Sequence, residues 1–112
     1  MIYEIRHYHF NPKLMDEYKR WATAGAVDYL RSHLDIVGFW AASDVPGETL
    51  LGIPDPLGSA TVTWIIRWQS MDERGRVLPE VLSTPEWLAL FSKVPGGEAS
   101  YSRAESNFME ML

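Results

Sequence analysis

The stretch Thr61-Val62-Thr63-Trp64-Ile65-Ile66-Arg67-Trp68 decides how this chain folds. Every residue in it except Arg67 is β-branched or aromatic, the side chains that pack best on a pleated surface, and no Gly or Pro interrupts the run. Side chains alternate along a strand, so Val62, Trp64, Ile66 and Trp68 share one face while Ile65 lies on the other. Apolar residues on both faces mean that one layer of helices cannot cover them all.

Upstream, residues 46–58 hold three prolines and three glycines and form the main loop, longer than a tight hairpin requires. Before it, Ile36-Val37-Gly38-Phe39-Trp40-Ala41-Ala42 reads as a second strand opened by Asp35, with Gly38 marking a bulge or a close approach. At the start of the chain, Ile2 to Phe10 mixes aromatic, β-branched and charged residues at alternating spacing and stops at Asn11-Pro12, a first strand. Asn11 as cap and Pro12 in the first turn then open a long amphipathic helix. Its apolar face runs from Leu14, Met15 and Tyr18 through Trp21 and Ala26 to Tyr29, Leu30 and His33.

Downstream, Ser70-Met71-Asp72-Glu73 matches a capping box. Pro79 and Thr84-Pro85 interrupt the helical run it opens, which predicts one helix carrying Val77, Leu78, Val81 and Leu82 and a short second one carrying Trp87, Leu88 and Phe91. The segment from Tyr101 to Met111 completes the sheet as a last strand. The order β-α-β-β-α-β predicts an α+β, ferredoxin-like domain over residues 1–112, a four-stranded antiparallel sheet with its helices on one face. The uncovered face predicts a homodimer that pairs sheet against sheet.

The 112 residues suit one domain, and no apolar run approaches the length of a membrane span. The first residues lack the pattern of a secretory signal and the chain has no cysteine, which together point to a cytoplasmic protein without disulfides or thiolate metal sites. The net charge is -5 and the ten Lys and Arg residues are scattered, which argues against nucleic acid as a partner. Five Trp and five Tyr are more aromatic surface than a core of this size needs, and point to a lined pocket or an interface.

Glu4, Arg6 and Tyr8 share one side of the first strand. Facing a dimer interior they would line a cavity able to bind an anion or move a proton; otherwise they form a structural ion pair. His7 and His9 lie on the other side and lack a third ligand, so no metal is expected. Trp40, Trp64, Trp68 and Phe39 either wall a planar ligand or pack the core. Trp21, Trp87 and Phe91 read as core between helix and sheet.

Three stretches, Ile2-Tyr3-Glu4-Ile5-Arg6-His7-Tyr8, Val37-Gly38-Phe39-Trp40 and Ser83-Thr84-Pro85-Glu86-Trp87, in this order and spacing, resemble the NIPSNAP family, a branch of the dimeric α/β barrel proteins. The resemblance implies a ferredoxin-like monomer and a barrel-like homodimer, in a superfamily that includes cofactor-independent monooxygenases and haem-binding or haem-degrading enzymes. Residues and resemblance together suggest a small-molecule-binding protein, or a monooxygenase-like enzyme needing no cofactor, acting on an aromatic or hydrophobic substrate. Tyr8, Arg6 and His7 are its candidate catalytic groups, and Glu4, Trp40, Trp64, Arg67 and Trp68 its candidate substrate contacts. The alternative is a non-catalytic interaction module using the loop around Leu50, Leu51, Ile53 and Leu57.

Overall fold

In the computed structural model, which describes residues 1–112, strands β1 (Ile2–Phe10), β2 (Ile36–Ala41), β3 (Val62–Trp68) and β4 (Tyr101–Met109) form one antiparallel sheet in the order β2-β3-β1-β4. β1 and β3 are central, with Arg6 opposite Trp64 and Glu4 opposite Ile66. A register shift between Ile36 and Gly38 is the bulge that Gly38 predicted. A Cβ at Gly38 would collide with the Trp40 indole, so the glycine lets that ring lie flat against the strand.

The helical layer covers one face. Asn11 accepts a hydrogen bond from the Lys13 amide (3.0 Å), and a short 3-10 turn at Pro12–Leu14 leads into α1 (Met15–Trp21). The expected long helix then carries a π turn at Ala22–Ala26 before continuing as α2 (Val27–His33). Gly25 leaves helical backbone angles there, and a Cβ on it would come within 3.3 Å of Leu90 Cδ2. Met15, Tyr18, Ala22, Ala26, Tyr29 and Leu30 are buried as the spacing predicts, but His33 is exposed, with Nδ1 2.8 Å from the Tyr29 carbonyl at the helix end.

At the start of α3 (Met71–Val81), Ser70 Oγ accepts from the Glu73 amide (3.1 Å) as the capping box predicts, while Glu73 reaches back one residue past the cap to accept from the Gln69 amide (2.6 Å). Pro79 stands inside α3, in its last turn, and does not end it. Thr84 caps α4 (Pro85–Phe91), its hydroxyl accepting from the Trp87 amide (3.1 Å).

Between sheet and helices the core is split. One cluster gathers Trp64, Ile66 and Trp68 with Tyr29, Leu30 and Leu78; the other gathers Phe10 and Val62 with Tyr18 and Val94. Tyr8 and Phe39 touch both. The opposite sheet face carries no helix, and no helix of the chain is long and apolar enough to cross a membrane.

Candidate functional site: a cavity inside the divided core

A cavity of about 380 Å³ opens where the two core clusters meet, within the size range of small-molecule sites. Twelve of its fourteen lining residues are hydrophobic, and they include Trp64 and Phe39 from the sheet, Tyr18, Trp21 and Ala26 from the first helical run, and Trp87 and Phe91 from α4. Arg6, Tyr8, Tyr101 and Glu98 bring polar atoms to the wall.

Alternation along β1 sets the order of the polar groups. Glu4, Arg6 and Tyr8 all point toward the helices, and therefore into one chain rather than across a dimer. Glu4 is fully buried behind the cavity wall. Its Oε1 accepts from Trp68 Nε1 (3.0 Å) and Arg74 Nε (3.1 Å), and its Oε2 from Arg6 Nη1 (2.8 Å), Arg74 Nη2 (3.2 Å) and Ser106 Oγ (2.8 Å). Burial pushes the Glu4 carboxyl up, but the hydrogen bonds from Arg74, Ser106 and Trp68 and the Arg6 charge outweigh it and hold the group below the usual range. Arg6 closes the chain of contacts: its Nε donates to Tyr8 Oη (2.8 Å), and its guanidinium lies 5.2 Å from the Trp64 ring centre. Burial pulls the Arg6 guanidinium down, yet Tyr8 and Glu4 leave it above its ordinary value, a fixed cation.

Two more phenols edge the cavity. Burial, helped by Tyr8 and opposed by a hydrogen bond from Tyr18, pushes the Tyr101 hydroxyl up to about 12, and burial together with Tyr101 and Tyr8 pushes the Tyr18 hydroxyl further still. Both remain protonated at neutral pH, which makes them donors rather than bases. Tyr101 meets Tyr8 edge to face, with ring centres 5.5 Å apart. The arrangement can hold a flat, mostly apolar molecule and direct hydrogen-bond donors at one part of it.

The candidates read from the sequence separate into three groups. Arg6, Tyr8 and Trp64 line the cavity. Glu4 and Trp68 lie behind it, bonded to each other and holding Arg6 in place. His7, Trp40 and Arg67 lie on the open sheet face, away from the cavity, so the expected wall of Trp40, Trp64 and Trp68 does not form. His7 Nδ1 is 2.9 Å from Thr63 Oγ1, Trp40 is half exposed, and Arg67 Nε donates to Asp35 (2.8 Å). The physical reason is parity: Trp40 and Thr63 pair in register, as Phe39 and Trp64 do, and each pair takes a different face. Trp21, Trp87 and Phe91, expected as closed core, are only half buried because they line the cavity.

The NIPSNAP family model matches residues 3–110. The chain belongs to the NIPSNAP family. Among solved structures, a protein of Agrobacterium tumefaciens has a TM-score of 0.77 to this chain at 20% identity, covering 100% of this chain and 94% of its own. An uncharacterised NIPSNAP domain protein of Burkholderia xenovorans gives 0.73 at 15% identity, covering 100% of this chain and 95% of its own. An antibiotic biosynthesis monooxygenase is more distant, with a TM-score of 0.59 at 12% identity, covering 100% of this chain and 99% of its own. At these identities the likeness is one of fold, and it places this NIPSNAP chain in the ferredoxin-like class that the strand order already indicated. No curated protein matches the chain in sequence.

Proposed function

We propose that this NIPSNAP chain is a small-molecule-binding protein whose ligand is a flat aromatic compound held in the cavity between sheet and helices. The observation that carries the reading is the composition of the wall: aromatic rings from both layers surround about 380 Å³, and Arg6 and Tyr8 supply its inner polar groups. Two chains pair through the open sheet faces, which is supported by half-exposed Val37, Trp40 and Met109 on a surface that no element of the chain covers.

The most concrete chemistry is oxygenation, the reaction named for the distant monooxygenase structure, run here without a cofactor. A ring methylene activated by a neighbouring carbonyl would lose a proton and react with dioxygen, giving a carbonyl and water. Tyr8 and Arg6 would stabilise the negative oxygen of the intermediate enolate. Native mass spectrometry of freshly purified protein is the first test, and a dimer carrying a discrete small-molecule mass is the expected result. Oxygen uptake with an electron-rich polycyclic phenol should fall at least about tenfold in Tyr8→Phe and in Trp64→Ala, since a positioned polar group contributes on that order or more. Unchanged uptake in both variants removes these residues from the mechanism.

The exposed loop supports a second reading. Leu50, Leu51 and Ile53 are each more than 70% exposed, an unusual display of aliphatic surface for a site recruiting no partner. If the loop is such a module, deleting residues 48–56 abolishes protein capture and leaves the cavity's ligand binding intact.

A further inference from the structure

The polar end of the cavity is built almost entirely of donors. Tyr8 Oη accepts from Arg6 Nε (2.8 Å) and from Trp64 Nε1 (2.9 Å), which occupies both of its lone pairs and leaves its own proton without a protein acceptor. Arg6 spends Nε on Tyr8 and Nη1 on Glu4, while Nη2 has no protein partner. Nη2 is not sealed away either, since the one buried side-chain polar atom without a partner is His9 Nδ1.

The charges beneath these donors do not cancel. Glu4 is gripped bidentately by Arg74, through Nε to Oε1 and Nη2 to Oε2. Arg6 takes one shared bond to Oε2, which also receives Arg74 and Ser106. One buried carboxylate thus faces two guanidiniums, and the surplus positive charge falls on Arg6, the one of the two that lines the cavity. Glu98 also borders the cavity, but it is exposed and screened by water.

We infer that the cavity takes its flat ligand as an anion, a carboxylate, phenolate or enolate oxygen receiving the Tyr8 proton and the free Nη2 of Arg6. The inference rests on the pocket reading above and narrows it to aromatic anions. A neutral ring leaves the Tyr8 proton and the Nη2 of Arg6 desolvated without a partner, a cost that an anionic oxygen removes. The Trp64 indole, already donating to Tyr8 Oη, fixes the phenol so that its proton points away from the sheet residues that bond it.

The test uses a pair of probes of equal shape and different charge, 2-naphthoate and 2-naphthamide, titrated into the full chain at neutral pH with tryptophan fluorescence as the readout. The expected result is naphthoate binding at least about tenfold more tightly, the scale of one hydrogen bond to a charged partner. In Arg6→Gln the two probes should come within about twofold, and in Tyr8→Phe, which keeps the ring and the guanidinium, the preference should shrink by a smaller factor. Equal binding of the two probes to the unmodified chain overturns the anion assignment and leaves the pocket reading standing. Failure of both to bind overturns the two together. A preference that survives in Arg6→Gln overturns the role of Arg6, and if that variant does not fold, an unchanged preference in Tyr8→Phe overturns the assignment on its own.

Discussion

The two faces of the sheet show what the same strand does with opposite surroundings. Toward the helices, β1 presents Glu4, Arg6 and Tyr8, and every one of them is tied into a network reaching β3, β4 and α3. Toward the open side it presents Ile5, His7 and His9, with one contact from His7 to Thr63 and one from His9 to the Gly58 carbonyl at 3.2 Å. The ion pairs differ in the same way. Glu4 with Arg6 and Arg74 is buried on the acidic side and satisfied by five hydrogen bonds, whereas Asp35 with Arg67 stands in solvent. Charge in this protein is structural where water is excluded and incidental where it is not.

The largest way to break that contrast is Glu4→Gln, which leaves two guanidiniums facing a neutral amide. It should destabilise the fold by about 3 kcal/mol, read as a lower midpoint in urea unfolding, because an uncompensated buried charge costs far more than an exposed one. An unchanged midpoint would mean that Arg6 and Arg74 are solvated after all. The pH dependence sharpens the same point. Because the folded-state carboxyl sits below its ordinary value of 4.5, its contribution is complete above that value and is lost as the pH falls through the lower folded value. Stability measured on the acid side should therefore drop in the unmodified chain, and this component of the drop should be missing in Glu4→Gln.

On the open face the expected effects move from stability to assembly. Trp40→Ser should leave the monomer's unfolding nearly unaltered, since the ring is already half exposed, yet shift sedimentation from dimer toward monomer. A dimer unchanged by that substitution would place the interface elsewhere. The smallest effect belongs to Asp35→Asn, which removes a pair exposed in the single chain and should leave the unfolding midpoint of the monomer within experimental scatter.

Much of the architecture is legible in the residues alone. The run from Val62 to Trp68, the caps at Asn11 and Ser70, the break at Thr84-Pro85 and the bulge at Gly38 each follow from local chemistry, and each stands where the sequence placed it. The alternation of Glu4, Arg6 and Tyr8 is equally legible, as is their separation from His7. Less legible is the wall opposite them. Trp21, Trp87 and Phe91 announce their helical face through spacing, but spacing gives direction and not depth, so a ring beside a cavity and a ring in closed core look the same. Arg74, which grips Glu4 from 70 residues away, gives no local signal at all.

The sequence by itself therefore determined the elements, their order and the partition of each strand's side chains between two faces, because those depend on backbone sterics and on residues a few positions apart. Only the tertiary structure decided which face meets the helices, since both carry apolar residues. It also decided that Trp40 and Arg67 part from Trp64, and that the core divides around a cavity. Those outcomes depend on strand register and on packing between residues far apart in the chain, which no local pattern encodes.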